Sequence, residues 1–172
     1  MGLHTWCYEK IDLNTLKLSE MKEEIEKHFI EIINILKEEI ENEEDKEELK
    51  ILKNDLKFYL NVLLNFDKLN KKRKILKLYS EISSDLLYYK NELYREVNSY
   101  NDMFRIEPSE DYKEENFVLK NIDDVFNVFK TNVTYGKRYY SEDLNTFIEE
   151  GINIELIKEF WSIYKNGIII FG

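Results

Sequence analysis

The stretch Lys158–Gly172, KEFWSIYKNGIIIFG, joins an amphipathic helical pattern, a glycine and four consecutive apolar residues. Asn153 can cap the start of this helix, and Gly167 is a typical residue for its end. Three isoleucines and a phenylalanine at an open sheet edge would promote aggregation. We therefore predict that Ile168–Phe171 is a strand buried in a small sheet, paired with the N-terminal strand.

Residues 1–10, MGLHTWCYEK, supply a candidate for that partner strand. Successive side chains of a strand point to opposite faces, so alternate residues share a face. One face would carry His4, Trp6 and Tyr8, and the other Leu3, Thr5 and Cys7. We predict a strand over residues 1–10 that packs on the C-terminal part of the chain.

Between residues 18 and 100 the apolar residues recur at spacings of three and four, which indicates amphipathic helices. The first helix is predicted from Leu18, with Ser19 as its cap, and the second from about Glu44. The third is predicted from Ile75 to Tyr100, either after a break or continuous with the second. Long helices joined by short links favour an antiparallel bundle or hairpin.

After residue 101 the pattern predicts shorter elements separated by glycines. Residues 101–116, which include the single proline, are interpreted as a connector. Asn121 and Asp124 resemble a capping arrangement for a helix through Phe129. A hairpin is predicted around Gly136, and a helix capped by Ser141 from there to residue 151.

These elements together predict a fold class of α+β, mostly α. The long antiparallel helical bundle or hairpin would occupy residues 11–100. A small α/β part would occupy residues 101–172 and take in the strand at residues 1–10.

The composition argues against several kinds of chemistry. One cysteine and two histidines are too few for an ordinary zinc site, and the five glycines form no phosphate-binding motif. His4 and Cys7 would lie on opposite faces of a strand, which disfavours a thiolate–imidazole pair. We predict a non-enzymatic protein with no catalytic residue, metal or cofactor, in which Cys7 is a small buried hydrophobic residue.

Location and nucleic-acid binding are constrained by charge and hydropathy. No apolar run approaches the roughly 20 residues that span a bilayer, and the start of the chain lacks the pattern of a signal peptide. We therefore expect no membrane partner and a cytoplasmic location in a host cell. The net charge of −10 disfavours general binding to nucleic acid.

Charge is unevenly distributed along the chain. From Glu20 to Glu48 there are 13 acidic residues and four lysines, a local net charge of −9. One interpretation is a solvated helix that lies against a basic neighbour. The other is an acidic surface that binds the basic groove of a host protein or ribonucleoprotein, in place of nucleic acid. The residues assigned to this surface are Glu38, Glu39, Glu41, Glu43, Glu44, Asp45, Glu47 and Glu48.

Two further features are candidates for binding. Tyr88, Tyr89 and Tyr94 cover more than one face of the predicted third helix, which indicates either core packing or a partner interface. A short basic run could contact RNA or a nucleoprotein, although such runs are common on solvated surfaces. It consists of Lys71, Lys72, Arg73 and Lys74.

Three short segments resemble those of small uncharacterised phage and prophage proteins: MGLHTWCYEK, YNDMFRI and KEFWSIYKNGIIIFG. The long helices are not part of this resemblance. It implies a viral or mobile-element origin, and phage accessory proteins of this kind often inhibit host defences. The resulting hypothesis is an inhibitor of a host protein, such as an anti-CRISPR protein. The alternative is a virion structural or assembly component that oligomerises through its long helices.

Overall fold

The computed structural model describes residues 3–112, 118–130, 138–141, 146–149 and 151–172. Within these ranges the chain forms five α-helices: α1 Leu18–Asn42, α2 Lys46–Leu64, α3 Lys72–Glu81, α4 Ile122–Phe129 and α5 Ile154–Ile163. The strands in the same ranges are β1 Leu3–Lys10, β2 Leu86–Tyr89, β3 Glu92–Phe104, β4 Val118–Leu119, β5 Arg138–Ser141, β6 Thr146–Glu149 and β7 Ile168–Phe171. Two single-turn 3-10 helices, Leu13–Thr15 and Phe66–Lys68, complete the described elements.

The predicted fold class is wrong. Five strands form one antiparallel sheet in the order β2-β3-β1-β7-β4, so the chain is an α+β protein and not a long bundle with a small α/β part. The predicted third helix ends at Glu81, and the chain continues into β2 and β3. Lys90 and Asn91 both have positive φ, 45° and 64°, which is the backbone of a two-residue hairpin turn. The tyrosines and valine that follow favour a strand over a helix.

The chain divides into two compact units. The first contains residues 1–11 and 94–172 and is called the sheet unit here. The second contains residues 12–93 and is called the helical unit, and the boundary falls within β3.

In the sheet unit, the predicted pairing of the two terminal strands is confirmed. β1 and β7 are antiparallel, with Trp6 opposite Ile170. The pairing closes with two hydrogen bonds of 2.9 Å, in which the backbone N–H of His4 and of Gly172 each donate to the other residue's carbonyl. Ile168 and Ile169 point to opposite faces and are both at most 2% exposed. The apolar run is therefore an interior strand of the sheet.

Aromatic rings fill the core of this unit. Phe104 of β3 stacks on Phe129 of α4 at 4.7 Å between ring centroids, and both rings contact Phe171. The predicted caps of α4 and α5 are confirmed: the side chain of Asn121 accepts from the Asp124 N–H, and that of Asn153 from the Leu156 N–H. Each cap fixes the start of a helix that covers this core.

Two other predictions for the sheet unit fail. The helix predicted between Ser141 and residue 151 is replaced at Thr146–Glu149 by β6, which pairs with β5. The connector predicted over 101–116 is β3 as far as Phe104. The hairpin predicted around Gly136 lies outside the described residues.

In the helical unit, α1 packs against α2 and α3. The predicted start of α1 at Leu18 is confirmed, but its cap position is Lys17 and not Ser19. Five residues of α1 are buried at helical spacing, among them Met21, Ile25 and Phe29. The Phe29 ring meets Tyr59 of α2 edge-on at 5.2 Å. By contrast, no residue of α2 is buried.

Candidate partner-binding surfaces

The eight predicted acidic residues lie together where α1 ends and α2 begins. Seven of them are exposed and Glu43 is half-buried. We call this set, Glu38, Glu39, Glu41, Glu43, Glu44, Asp45, Glu47 and Glu48, the acidic tip. It includes the end of α1, the three-residue link and the first turn of α2.

Two carboxylates of the acidic tip also hold the link in place. Asp45 caps α2 by accepting hydrogen bonds from the N–H groups of Glu47 and Glu48, at 2.9 and 3.0 Å. The Glu43 carboxylate accepts from the Asp45 N–H at 2.8 Å. Glu47 and Glu48 lie in the first turn of α2, where their negative charge stabilises the helix by interacting with the positive end of its dipole. These residues therefore have local structural roles in addition to their charge.

The carboxylates at the end of α1 have the opposite effect. Glu39 and Glu41 lie in its last turn, which contains no basic residue. Negative charge at a helix C-terminus opposes the macrodipole and destabilises the helix by about 0.3–1 kcal/mol per charge. Glu39 and Glu41 therefore lower the stability of α1, and no contact within the helix offsets this effect.

Four carboxylates of the acidic tip line one groove. The groove has a volume of about 570 Å³ and runs between the end of α1 and the start of α2. It is lined by Ile35, Glu38, Glu39, Asn42, Glu43, Glu48 and Leu52. Among the described residues, no three His, Cys, Asp or Glu side chains are grouped so as to hold a metal ion. The groove thus presents dispersed negative charge with an apolar residue on each helix, which suits a basic side chain with an aliphatic stem.

The three tyrosines lie on strands and not on a helix. Tyr94 is only 7% exposed and so offers little area to a partner. Tyr88 and Tyr89 are half-buried. The Tyr88 hydroxyl donates to Asn91 Oδ1 at 2.9 Å, and Arg73 Nε donates to the same oxygen at 2.7 Å. Tyr88 and Arg73 therefore support the hairpin turn.

The basic run lies at the start of α3. Lys71 is the residue before the helix, and Lys72, Arg73 and Lys74 form its first turn. All four are exposed, and the turn contains no acidic residue. Positive charge at a helix N-terminus opposes the macrodipole, as negative charge does at the end of α1.

A second groove was missed by the sequence prediction. It has a volume of about 510 Å³ and lies where α2 ends and α3 begins. Its apolar lining residues are Phe58, Val62, Leu69 and Leu78, and its lysines are Lys68, Lys71 and Lys74. The available signal was the spacing of Ile51, Phe58 and Val62, which forms a second apolar stripe on α2 beside the one predicted to face the core.

The only cysteine has the environment of a core residue. Cys7 is fully buried, and burial raises the pKa of its thiol to about 12, with a smaller contribution from the Glu96 carboxylate. His4 Nδ1 lies 2.6 Å from Asn101 Oδ1, on the other side of the strand. The predicted burial of Cys7 is confirmed, and the thiolate required for nucleophilic chemistry is disfavoured.

This chain matches no family model, no curated protein and no solved structure. Within the described residues, no helix is both long and apolar enough to cross a membrane.

Proposed function

We propose that this chain is a non-enzymatic inhibitor that binds a basic surface of a host protein or ribonucleoprotein through its acidic tip. The resemblance of its terminal segments to phage proteins suggests host defences as targets, with CRISPR nucleases as one class. Occupation of a basic groove by carboxylates would exclude the nucleic acid that normally binds there.

The observation that carries this proposal is the position of Glu39 and Glu41 at the C-terminal end of α1. Exposed charges that destabilise their own helix require another explanation, and a basic partner would offset their cost by neutralising them. The groove lined by Glu38, Glu39, Glu43 and Glu48 concentrates the same charge at one place. Tyr88 and Tyr89 are left as secondary contacts, because Tyr94 is buried.

The high pKa of the Cys7 thiol disfavours nucleophilic catalysis by this residue. The pKa of the thiol is about 12, so the thiol is protonated at neutral pH. The side chain is also enclosed in the core of the sheet unit. Recognition by surface charge and shape does not require a reactive group.

The experiment that tests the proposal is affinity capture from bacterial lysate at low and high salt, with quantitative mass spectrometry. We expect a basic protein or ribonucleoprotein that is retained at low salt and released at high salt, because exposed charge pairs are screened. The captured protein should then lose its bound nucleic acid when this chain is added. Retention of the nucleic acid in the resulting complex would contradict inhibition by competition.

A virion structural component is the second candidate, and the exposed apolar residues of α2 favour it. Ile51, Phe58 and Leu64 are 52%, 60% and 80% exposed. A structural component would form rings or filaments, whereas an inhibitor would remain a monomer or a small closed oligomer. Light scattering coupled to size-exclusion chromatography separates the two.

A further inference from the structure

The outer face of α2 is apolar without being covered by the chain. Ile51 and Phe58 are 52% and 60% exposed and lie seven residues apart, which places them two turns apart on one side of the helix. Val62 continues the stripe and is half-buried. Because large apolar side chains aligned on one exposed face are typical of an interface, this stripe is suited to a partner.

The stripe continues into the second groove described above, at the end of α2 and the start of α3, which we call the basic groove of this chain. Phe58 and Val62 form part of its lining, together with Lys68, Lys71 and Lys74, which we call the basic corner. In the part of the chain that the structure describes, these lysines form no ion pair. A partner that combines apolar side chains with carboxylates would therefore complement this face.

The α2 helix of a second copy of this chain has both features, carboxylates at its start and apolar side chains along its outer face. The 19 residues of α2 span about 28 Å at 1.5 Å per residue, with acidic residues at the start and the basic corner beyond the end. A second copy running antiparallel would bring each acidic end against the basic corner of the other copy. The apolar stripe lies between the two ends.

We infer that two copies of this chain form a two-fold dimer through antiparallel α2 helices. Ile51 of each copy packs on Phe58 of the other. The contact is isologous, so it occurs twice and closes the assembly at two subunits. Glu44, Glu47 and Glu48, which precede the stripe, face the basic corner of the second copy.

The helix dipoles favour this arrangement. Lys74 lies in the first turn of α3, where positive charge is unfavourable, and Glu41 lies in the last turn of α1, where negative charge is unfavourable. Bringing the acidic tip of one copy to the basic corner of the other neutralises both at once. The net charge of −10 opposes general self-association, so the contact depends on this specific alignment.

Asp55 provides an internal check on the geometry. It is exposed and lies between Ile51 and Phe58, close to the two-fold axis that an antiparallel pairing would create. Its two copies would repel each other there. Asp55→Asn should therefore strengthen the dimer several-fold, an effect that an interface elsewhere would not produce.

Sedimentation equilibrium of the full chain over a wide concentration range tests the inference. We expect a reversible monomer–dimer equilibrium for the natural sequence and at least a tenfold weaker one for Ile51→Glu. The matched control is Ile163→Glu, since Ile163 is similarly exposed, at 63%, but lies on α5. Circular dichroism verifies that each variant is folded. A monomer at all concentrations, or equal weakening by both variants, would overturn the inference.

Charge reversal provides a second test that does not depend on the apolar residues. The variant Glu44→Lys/Glu47→Lys/Glu48→Lys and the variant Lys68→Glu/Lys71→Glu/Lys74→Glu should each be monomeric. An equimolar mixture of the two should restore a dimer, because each acidic end then meets a basic one. An open polymer in the natural chain would overturn the two-fold geometry. A monomer whose basic corner binds a labelled RNA oligonucleotide would assign that face to nucleic acid instead.

The inference does not rest on the proposed function. Ile51→Glu removes the dimer and frees Glu44, Glu47 and Glu48 from the basic corner of the second copy, so capture of a host partner by this variant should persist or increase. Loss of dimerisation and loss of partner binding are thereby measured separately.

Discussion

The sheet unit and the helical unit use their apolar residues in different ways. In β7 three of the four residues are at most 2% exposed, and the phenylalanine among them contacts three other rings. In α2 no residue is buried, and Phe58 is 60% exposed. The sheet unit therefore encloses the apolar residues of β7 in its own core, whereas α2 of the helical unit leaves large apolar residues on its surface.

The charges show a similar difference. In the sheet unit, Asp123 and Asp124 lie in the first turn of α4, where their negative charge interacts favourably with the helix dipole and stabilises the helix. In the helical unit, Glu47 and Glu48 are placed equally favourably in α2, but acidic residues end α1 and basic residues begin α3, against the dipole in both cases. Surface charge that lowers the stability of its own helix is expected where charge serves binding.

The largest expected effect is on the aromatic core. Phe104→Ala should lower the free energy of unfolding of the sheet unit by about 3–5 kcal/mol, because it leaves a cavity beside the Phe129 and Phe171 rings. Phe58→Ala should change stability by no more than about 0.5 kcal/mol, because the ring is exposed. Urea denaturation should be followed by tryptophan fluorescence for Phe104→Ala, since Trp6 and Trp161 both lie in the sheet unit, and by far-ultraviolet circular dichroism for Phe58→Ala in the helical unit. Similar losses for both variants would contradict the difference between the units.

The Cys7 thiol should be unreactive in the folded chain. Its pKa rises from 9.0 to about 12, and each unit reduces the thiolate tenfold. We expect reaction with Ellman's reagent at least about a hundredfold slower than in the urea-unfolded chain. Comparable rates in the two states would show that the core opens readily.

The same shift predicts a pH dependence of stability. The folded chain holds the Cys7 proton more tightly than the unfolded chain does, so the protonated thiol contributes to the free energy of unfolding. This contribution is complete below pH 9 and is lost as the pH rises toward about 12. Unfolding free energies measured across this window should fall, and Cys7→Ala should reduce the fall.

The two glycines of the terminal segment provide a test of packing. A Cβ at residue 167 would lie 2.6 Å from the Phe160 ring and 2.8 Å from the Tyr8 carbonyl oxygen, whereas one at residue 172 would lie 3.7 Å from Trp6. Gly167→Ala should therefore lower the stability of the sheet unit by about 1–3 kcal/mol. Gly172→Ala should be nearly neutral. Thermal unfolding distinguishes them, and a neutral Gly167→Ala would show that the turn between α5 and β7 packs less closely than the structure indicates.

The smallest expected effect concerns the acidic tip. Glu39→Gln and Glu41→Gln should each stabilise the helical unit by about 0.3–1 kcal/mol, because they remove charge that opposes the dipole of α1. Glu20→Gln, in the first turn of the same helix, should have the opposite sign. Far-ultraviolet circular dichroism at low ionic strength measures the difference. Destabilisation by all three variants would contradict the proposed effect of Glu39 and Glu41 on the dipole of α1.

Much of the fold could be predicted from the sequence where local patterns agree with tertiary packing. α1 was predicted from its apolar spacing, and α4 and α5 from asparagine caps that the structure confirms. The paired terminal strands were predicted because an exposed IIIF run would be unstable. In each case the local signal and the buried face coincide.

The prediction failed where one spacing fits two structures. Leu86, Tyr89, Leu93 and Val97 recur at three and four residues, yet they lie on β2 and β3. The Lys90–Asn91 turn decides between the alternatives, and a lysine–asparagine pair is a weaker hairpin signal than asparagine–glycine. The acidic tip was visible in the sequence as a run of charge. The basic groove was not, because it brings together residues of α2 and α3 that no periodic pattern links.

The role of the acidic tip in partner binding is tested by comparing two variants of equal net charge. One is Glu38→Lys/Glu39→Lys/Glu44→Lys/Glu48→Lys in the acidic tip. The other is Glu81→Lys/Glu107→Lys/Glu110→Lys/Glu159→Lys, which reverses four exposed carboxylates elsewhere. Both variants are made in the monomeric Ile51→Glu background, because Glu44 and Glu48 also belong to the inferred dimer contact. Affinity for the captured host partner should fall at least tenfold for the first variant and change little for the second. Equal affinities for the two variants would show that the position of the acidic residues does not determine binding.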